Sequence, residues 1–263
     1  MPPPNRLGLV PTTVADVSAA VERLWPAAGA ESWDSVGLIA GDLDAPVDSI
    51  LLAVDAVLDT VDEALELGVG MLLVHHPLLL RGVTSVASDR YKGAALSRLI
   101  RGNCALLAAH TNADVVETGT SASFAAKLGL RDVRPLVPAT DPARGIGRVG
   151  TLPAPTTLGT LARALGDLLP ATASGIRVSG EFDRPVSTVA LCGGAGDAYL
   201  SSPAVLAADV YSLNNIAQFF IPLQKKIMLT KTSVINTISR LPDNFSIDEI
   251  AMIGINHQPK MIL

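Results

Sequence analysis

Three uninterrupted apolar runs of strand length constrain this chain more than any other feature: Ser49–Asp55 (SILLAVD), Met71–Val74 (MLLV) and Ala105–Ala109 (ALLAA). Continuous apolar runs, without alternation, belong to strands covered on both faces. Helix-length segments separate them, Thr60–Leu67 closed by Gly68 and Tyr91–Arg101 closed by Gly102-Asn103. Glycine just past a helix supplies the left-handed conformation that ends it. Strand, helix, strand, helix, strand at this spacing predicts parallel pairing with crossover helices. Such a sheet presents its chemistry at the carboxyl ends of its strands. The second run ends there in His75-His76-Pro77, and the third in His110-Thr111-Asn112-Ala113-Asp114.

The rest of the chain extends this α/β pattern. Thr12–Leu24 reads as an amphipathic helix with Thr12 or Thr13 as cap, stopped by Trp25-Pro26 because proline cannot continue the hydrogen-bond ladder. In the following loop, Trp33 and Leu38 are expected to pack while Asp34 and Ser35 tie down the turn. Thr118–Leu128, capped by Gly129, is a further helix. Residues 131–148 turn to Pro, Asp, Arg and Gly and read as a connector. Beyond it, strands are expected at Gly147–Leu152, Gly175–Val178, Val186–Cys192 and Ala208–Tyr211, with helices at Thr156–Leu169 and Ser201–Ala207. The fold class is therefore α/β, as two similar lobes with mostly parallel sheets covered by helices. The boundaries are 1–130 for the first lobe, 131–211 for an incomplete second lobe and 212–263 for a divergent tail.

That tail differs in composition. Residues 1–211 hold five Ile and two Lys, whereas residues 212–263 hold ten Ile and four Lys. Its own signals are a helix from Thr230 to Leu241 and a capping box at Ser246–Glu249. A shift this sharp points to a segment of different origin.

Composition narrows the function classes. Apolar residues make up 49% of the 263 and charged residues 17%, which excludes wholesale disorder. A net charge of −5 gives no footprint for nucleic acid. No window approaches the ~18 apolar residues of a membrane span, and the amino-terminal MPPPNRLGLVP has no signal-peptide core. Cys104 and Cys192 are far apart with no CxxC, as expected of free thiols in a cytoplasmic protein.

Three of the four histidines thus sit at strand ends. Adjacent strand residues point to opposite faces, but where the chain turns both His75 and His76 can serve one site, and Pro77 restricts that turn. Imidazole with carboxylate suits a divalent Zn, Fe, Mn, Ni or Co ion. Two ions bridged by a carboxylate could activate water.

The segments LLVHHPLLLRGV and AAHTNADV, preceded by SWDSVGL and followed by GIGRVG and ALCGGAGD, resemble the GTP cyclohydrolase 1 type 2 homologues, also described as dinuclear-metal-centre hexameric proteins. The resemblance spans about residues 12–211. It implies a two-lobed α/β protein, a toroidal homohexamer with metals facing the cavity, and a hydrolase acting on a nucleotide-type small molecule. It further implies His75, His76 and Asp114 as metal ligands, with His110 placed behind them or moving protons. The family adds a His and a Glu, four apart, near the carboxyl terminus. Here the one late histidine, His257, has Met261 four positions on, so three of the five ligands are expected.

Other constellations are weaker. Gly145–Gly150 satisfies GxGxxG by letter but neither follows a clear strand nor opens onto a helix. Gly193–Asp197 could offer backbone N–H groups to a phosphate, although a tight turn explains those glycines equally well. Lys225-Lys226 reads as a solvated pair.

Overall fold

A computed structural model describes residues 12–169, 176–194, 196–214 and 225–228. The tail's helix and capping-box signals lie outside these residues. The chain forms two compact units, the first reaching Ala113 and regaining residues 225–228, the second running from Asp114.

The first unit opens with helix α1, Val14–Leu24. Thr13 caps it through a reciprocal pair with Asp16, hydroxyl to backbone N–H and carboxylate to the Thr13 N–H. A loop leads to strand β1, Gly37–Ala40, and then to β2, Ser49–Asp55. Helix α2, Leu58–Glu66, returns the chain to β3, Met71–His76. Helix α3, Tyr91–Arg101, returns it to β4, Ala105–Ala108. The pairs β2–β3 and β3–β4 are parallel, as the apolar runs predict. β1 closes one edge antiparallel to β4. The other edge is closed by β9, Lys225–Met228, antiparallel to β2. Part of the compositionally foreign tail is therefore built into this sheet.

A core of Leu51, Val61, Leu72, Val74, Leu96, Leu99 and Leu106 fills the space between the sheet and the helices α2 and α3. Leu51, Leu72, Leu99 and Leu106 are completely buried, each worth about 1.5–3 kcal/mol against exposure. That packing fixes the β3 and β4 ends from which the histidines project.

A single turn, α4 at Thr111–Asp114, leads into the second unit. There α5, Thr120–Lys127, is followed by β5, Arg131–Pro138, and by the long β6, Gly145–Thr157. Helix α6, Leu158–Leu168, β7, Pro185–Gly193, the short α7, Pro203–Leu206, and β8, Val210–Asn214, complete it. Along β7 the side chains alternate. Val189 and Leu191 join Phe124, Leu161 and Leu165 in one core, while Ala190 joins Leu136, Val149 and Val205 in another.

The α/β class holds, but the pairing expected in this second half does not. The order is β5-β6-β7-β8, with β5–β6 and β6–β7 antiparallel and only β7–β8 parallel. The presumed connector at 131–148 contains β5, a mostly exposed strand whose Pro135 and Pro138 hide it from an apolar reading. Residues 176–178 are not strand. Helix α5 packs on β6 and β7, so it belongs with the second sheet.

Two glycine-rich stretches prove structural. All of Gly145–Gly150 lies inside β6. The Arg148 side chain is buried and donates to the carbonyls of Gly145, Gly147 and Val116. At Gly193–Asp197 the Gly193 N–H is taken by Ser121 Oγ and the Gly196 N–H by the Gly194 carbonyl. Neither is therefore offered to a phosphate. Burial raises the Cys104 thiol to about 11. Burial, reinforced by the Asp114 charge, raises Cys192 to about 11 as well. Both stay protonated and unreactive at neutral pH. Among the described residues no helix is long and apolar enough to cross a membrane.

Candidate metal centre

Three histidines converge at the carboxyl ends of β3 and β4. His75 and His76 are the last residues of β3, the central strand of its sheet, and His110 follows β4 directly before α4. One ring nitrogen from each lies within 4.8 Å of the other two. The ring centroids are 5.0 Å apart for His75–His76, 4.9 Å for His75–His110 and 5.5 Å for His76–His110. These three side chains could hold a metal ion.

The adjacent rings of β3 are each anchored to a different neighbouring strand. His75 donates from Nδ1 to the Ala109 carbonyl beyond β4, at 3.0 Å. His76 pairs through Nδ1 with Asp55 Oδ1 at 2.8 Å. Asp55 is the last residue of β2 and stands opposite His76 in the parallel register. The hydrogen bond from His76 lowers the Asp55 pKa, burial opposes it, and the charges of His76 and His75 lower it further. Asp55 is therefore a carboxylate acceptor.

His110 is held more tightly. Its Nδ1 pairs with Asp34 Oδ1 at 2.9 Å, and the Asp34 side chain has 0% exposure. Burial alone would raise the Asp34 pKa. It is outweighed by hydrogen bonds from the Thr111 hydroxyl, His110 and the N–H groups of Ser35 and Thr111, so the carboxyl stays below its ordinary value. Asn112 fixes the same corner, accepting from the His110 N–H at 2.9 Å and donating to the Trp25 carbonyl at 2.7 Å.

All three rings thus have Nδ1 occupied by an oxygen acceptor. In the neutral imidazole this puts the proton on Nδ1 and the lone pair on Nε2. Metal-binding histidines are commonly oriented in this way, by a carboxylate or a backbone carbonyl on the other nitrogen. The donor set fits a borderline divalent ion.

The sequence brings His75, His76 and His110 to attention as strand-end residues, and the fold brings them together. Asp114, read with them as a ligand, is the last residue of α4 and the first of the second unit. There it accepts a hydrogen bond from the Thr120 hydroxyl at 2.6 Å. Asp55 was legible only as a strand terminus. Asp34 does tie down its turn, accepting from the Ser35 N–H at 2.7 Å, but its carboxylate also reaches His110. Trp33 does not form the expected buried contact. It is 58% exposed and lies edge-on to His110, centroids 5.9 Å apart at 75°.

Comparison with known proteins agrees with this fold. Residues 12–212 match the family model described as DUF34/NIF3 (NGG1p interacting factor 3). A GTP cyclohydrolase 1 type 2 homolog of Streptomyces coelicolor is 46% identical over 201 residues, covering 75% of this chain and 70% of the relative. One from Mycobacterium tuberculosis is 32% identical, covering 75% and 79%. Among solved structures, Staphylococcus aureus hypothetical protein SA1388 superposes with a TM-score of 0.70 at 27% identity, covering 79% of this chain and 80% of its own. A Bacillus cereus protein related to NIF3 shares the fold, with a TM-score of 0.72 at 21% identity over 94% and 92%. The chain belongs to the DUF34/NIF3 family.

Proposed function

We propose that this protein is a metal-dependent hydrolase acting on a nucleotide-type small molecule. The observation that carries the reading is the convergence of three histidines, each with Nδ1 on an oxygen acceptor and with one ring nitrogen of each within 4.8 Å of the other two. In this proposal His75 and His76 hold the metal, and Asp114 is the carboxylate that the family resemblance adds. A divalent ion held there would supply Lewis acidity. His110 would serve as the general base, accepting a proton at Nε2. Asp34 keeps the ring in the required tautomer and stabilises its charged form, as a buried carboxylate does for a catalytic imidazole. Asp55 holds His76 in the tautomer that carries the proton on Nδ1.

The nucleotide assignment draws on the relatives' name, GTP cyclohydrolase 1 type 2 homolog. Metal-replete protein assayed with GTP, then with other nucleotides, tests it. Formate released from GTP, dependent on added metal and lost in His110→Gln, supports the enzyme.

One sequence observation favours a second reading. The late His and Glu of the family pattern are missing, with only His257 beyond residue 212, so the site is a partial one. A non-catalytic metal-binding scaffold follows if metal binds and no nucleotide turns over. Assembly as a homohexamer is part of either reading, and solution scattering that gives a monomer removes it.

A further inference from the structure

We infer that Trp33 is a stacking platform for a planar heteroaromatic group of the substrate, placed beside the histidine cluster. The inference deepens the hydrolase reading by assigning a specificity-determining residue to the same site.

Large aromatic residues bury most of their surface in folded proteins, yet Trp33 is 58% exposed and Trp25, the only other tryptophan, is 5% exposed. An exposed indole on a slack loop would mean little, but this one is held on both sides. On one side, the Glu31 N–H donates to Thr111 Oγ1 at 2.9 Å, and the Asp34 N–H donates to the Glu31 carbonyl at 2.9 Å. On the other, the fully buried Asp34 carboxylate takes hydrogen bonds from Ser35, Thr111 and His110. The backbone on either side of Trp33 is thereby fixed, and the indole lies edge-on to the His110 ring, 5.9 Å between centroids, with 58% of its surface exposed. His110 itself lies 4.9 Å from His75 and 5.5 Å from His76. A ring stacked on Trp33 would itself lie beside the cluster. Stacking recognises any planar π-system, so the ligand class is a heteroaromatic ring rather than a particular base.

Two tryptophans make the test direct. Guanosine 5′-monophosphate is titrated into the full-length protein while tryptophan emission is followed, with ribose 5-phosphate as the ring-free control. Calorimetry on the same samples gives the affinity. Wild type should show saturable quenching by the nucleotide and none by the sugar phosphate. Trp33→Ala should weaken nucleotide binding about tenfold, the low-to-middle range for loss of one base–aromatic stack, and leave the Trp25 emission unresponsive. Trp33→Phe, which keeps an aromatic face and is the safer variant for folding, should bind within about threefold of wild type by calorimetry. Equal nucleotide affinity in wild type and Trp33→Ala overturns the inference. So does equal binding of the ribose phosphate, absence of nucleotide binding to wild type, or a Trp33→Ala effect confined to oligomer mass. Because the readout is binding, without turnover, saturable quenching in a protein that hydrolyses nothing would retire the hydrolase reading and leave the platform standing.

Discussion

Asp34 and His110, 76 positions apart in sequence, are joined by a 2.9 Å hydrogen bond at the Nδ1 of the imidazole. The acid is wholly buried and the ring 15% exposed. The contact links the loop before β1 to the end of β4 and sets which nitrogen of His110 carries the proton. Asp34→Asn keeps the shape but weakens the acceptor. Turnover should fall by roughly 10- to 100-fold, the usual cost of losing a partner behind a site histidine, while bound metal stays near the wild-type amount. Elemental analysis beside a rate measurement checks both. A loss of metal equal to the loss of rate would make His110 a ligand rather than a proton carrier.

Arg148 governs the second unit in a different way. Its guanidinium is buried, with burial lowering its pKa and the charge of Glu117 opposing that, and it binds the carbonyls of Gly145, Gly147 and Val116. Arg148→Met fills similar space and strips the guanidinium from the Gly145 and Gly147 carbonyls, while the Val116 carbonyl keeps the Gly119 N–H at 2.9 Å. Each buried unsatisfied group costs about 1–3 kcal/mol, so denaturant unfolding should show a loss of about 2 kcal/mol or more. A loss within the ~0.5 kcal/mol of an ordinary surface substitution would mean that the carbonyls are hydrated.

Glycine positions give a paired test of backbone strain against packing. Gly68 has φ +61° with open space where a Cβ would sit, so Gly68→Ala carries only the left-handed penalty of about 1–2 kcal/mol. Gly147 has the same φ of +61°, but an added Cβ would lie 2.8 Å from the Leu191 carbonyl oxygen and 2.9 Å from Leu136 Cβ. Gly147→Ala should therefore be clearly the more destabilising in thermal melts. Equal melting temperatures would show that β6 relaxes freely.

The acid limb of stability should depend on Asp209. Its carboxylate accepts from the N–H groups of Thr188 and Ser187 at 2.8 and 2.9 Å. These bonds hold its pKa below the ordinary 3.8. The unfolded chain therefore takes up the proton first as pH falls. The stabilisation is complete above that ordinary value and is lost as pH drops from it through the folded-state value. Asp209→Asn should melt lower than wild type near neutral pH, with the gap narrowing below pH 3.8. A gap that is constant across this range would contradict the assignment.

How much of this was legible in the sequence follows from the range of each interaction. The parallel β2–β3–β4 core was readable because every strand is a short apolar run and every helix ends in glycine. His75, His76 and His110 were readable because they break those runs abruptly. The second sheet was harder. β5 is an exposed strand carrying two prolines, and antiparallel pairing leaves no strand–helix–strand rhythm to detect. Asp55 had a usable signal, a carboxylate closing the strand parallel to the one that ends in histidines. Asp34 had only its place beside Trp33, since a partner 76 residues away leaves no local periodicity. Trp33 itself misled, because an aromatic residue near Leu38 reads as core until the fold shows it facing solvent.

Metal held by His75 and His76 can be counted directly. Wild type and His75→Ala/His76→Ala are loaded with excess divalent metal, passed through a desalting column and analysed for metal per chain, with circular dichroism confirming that both are folded. Wild type should carry bound divalent metal and the double variant little. Equal metal content in the two folded proteins would contradict it.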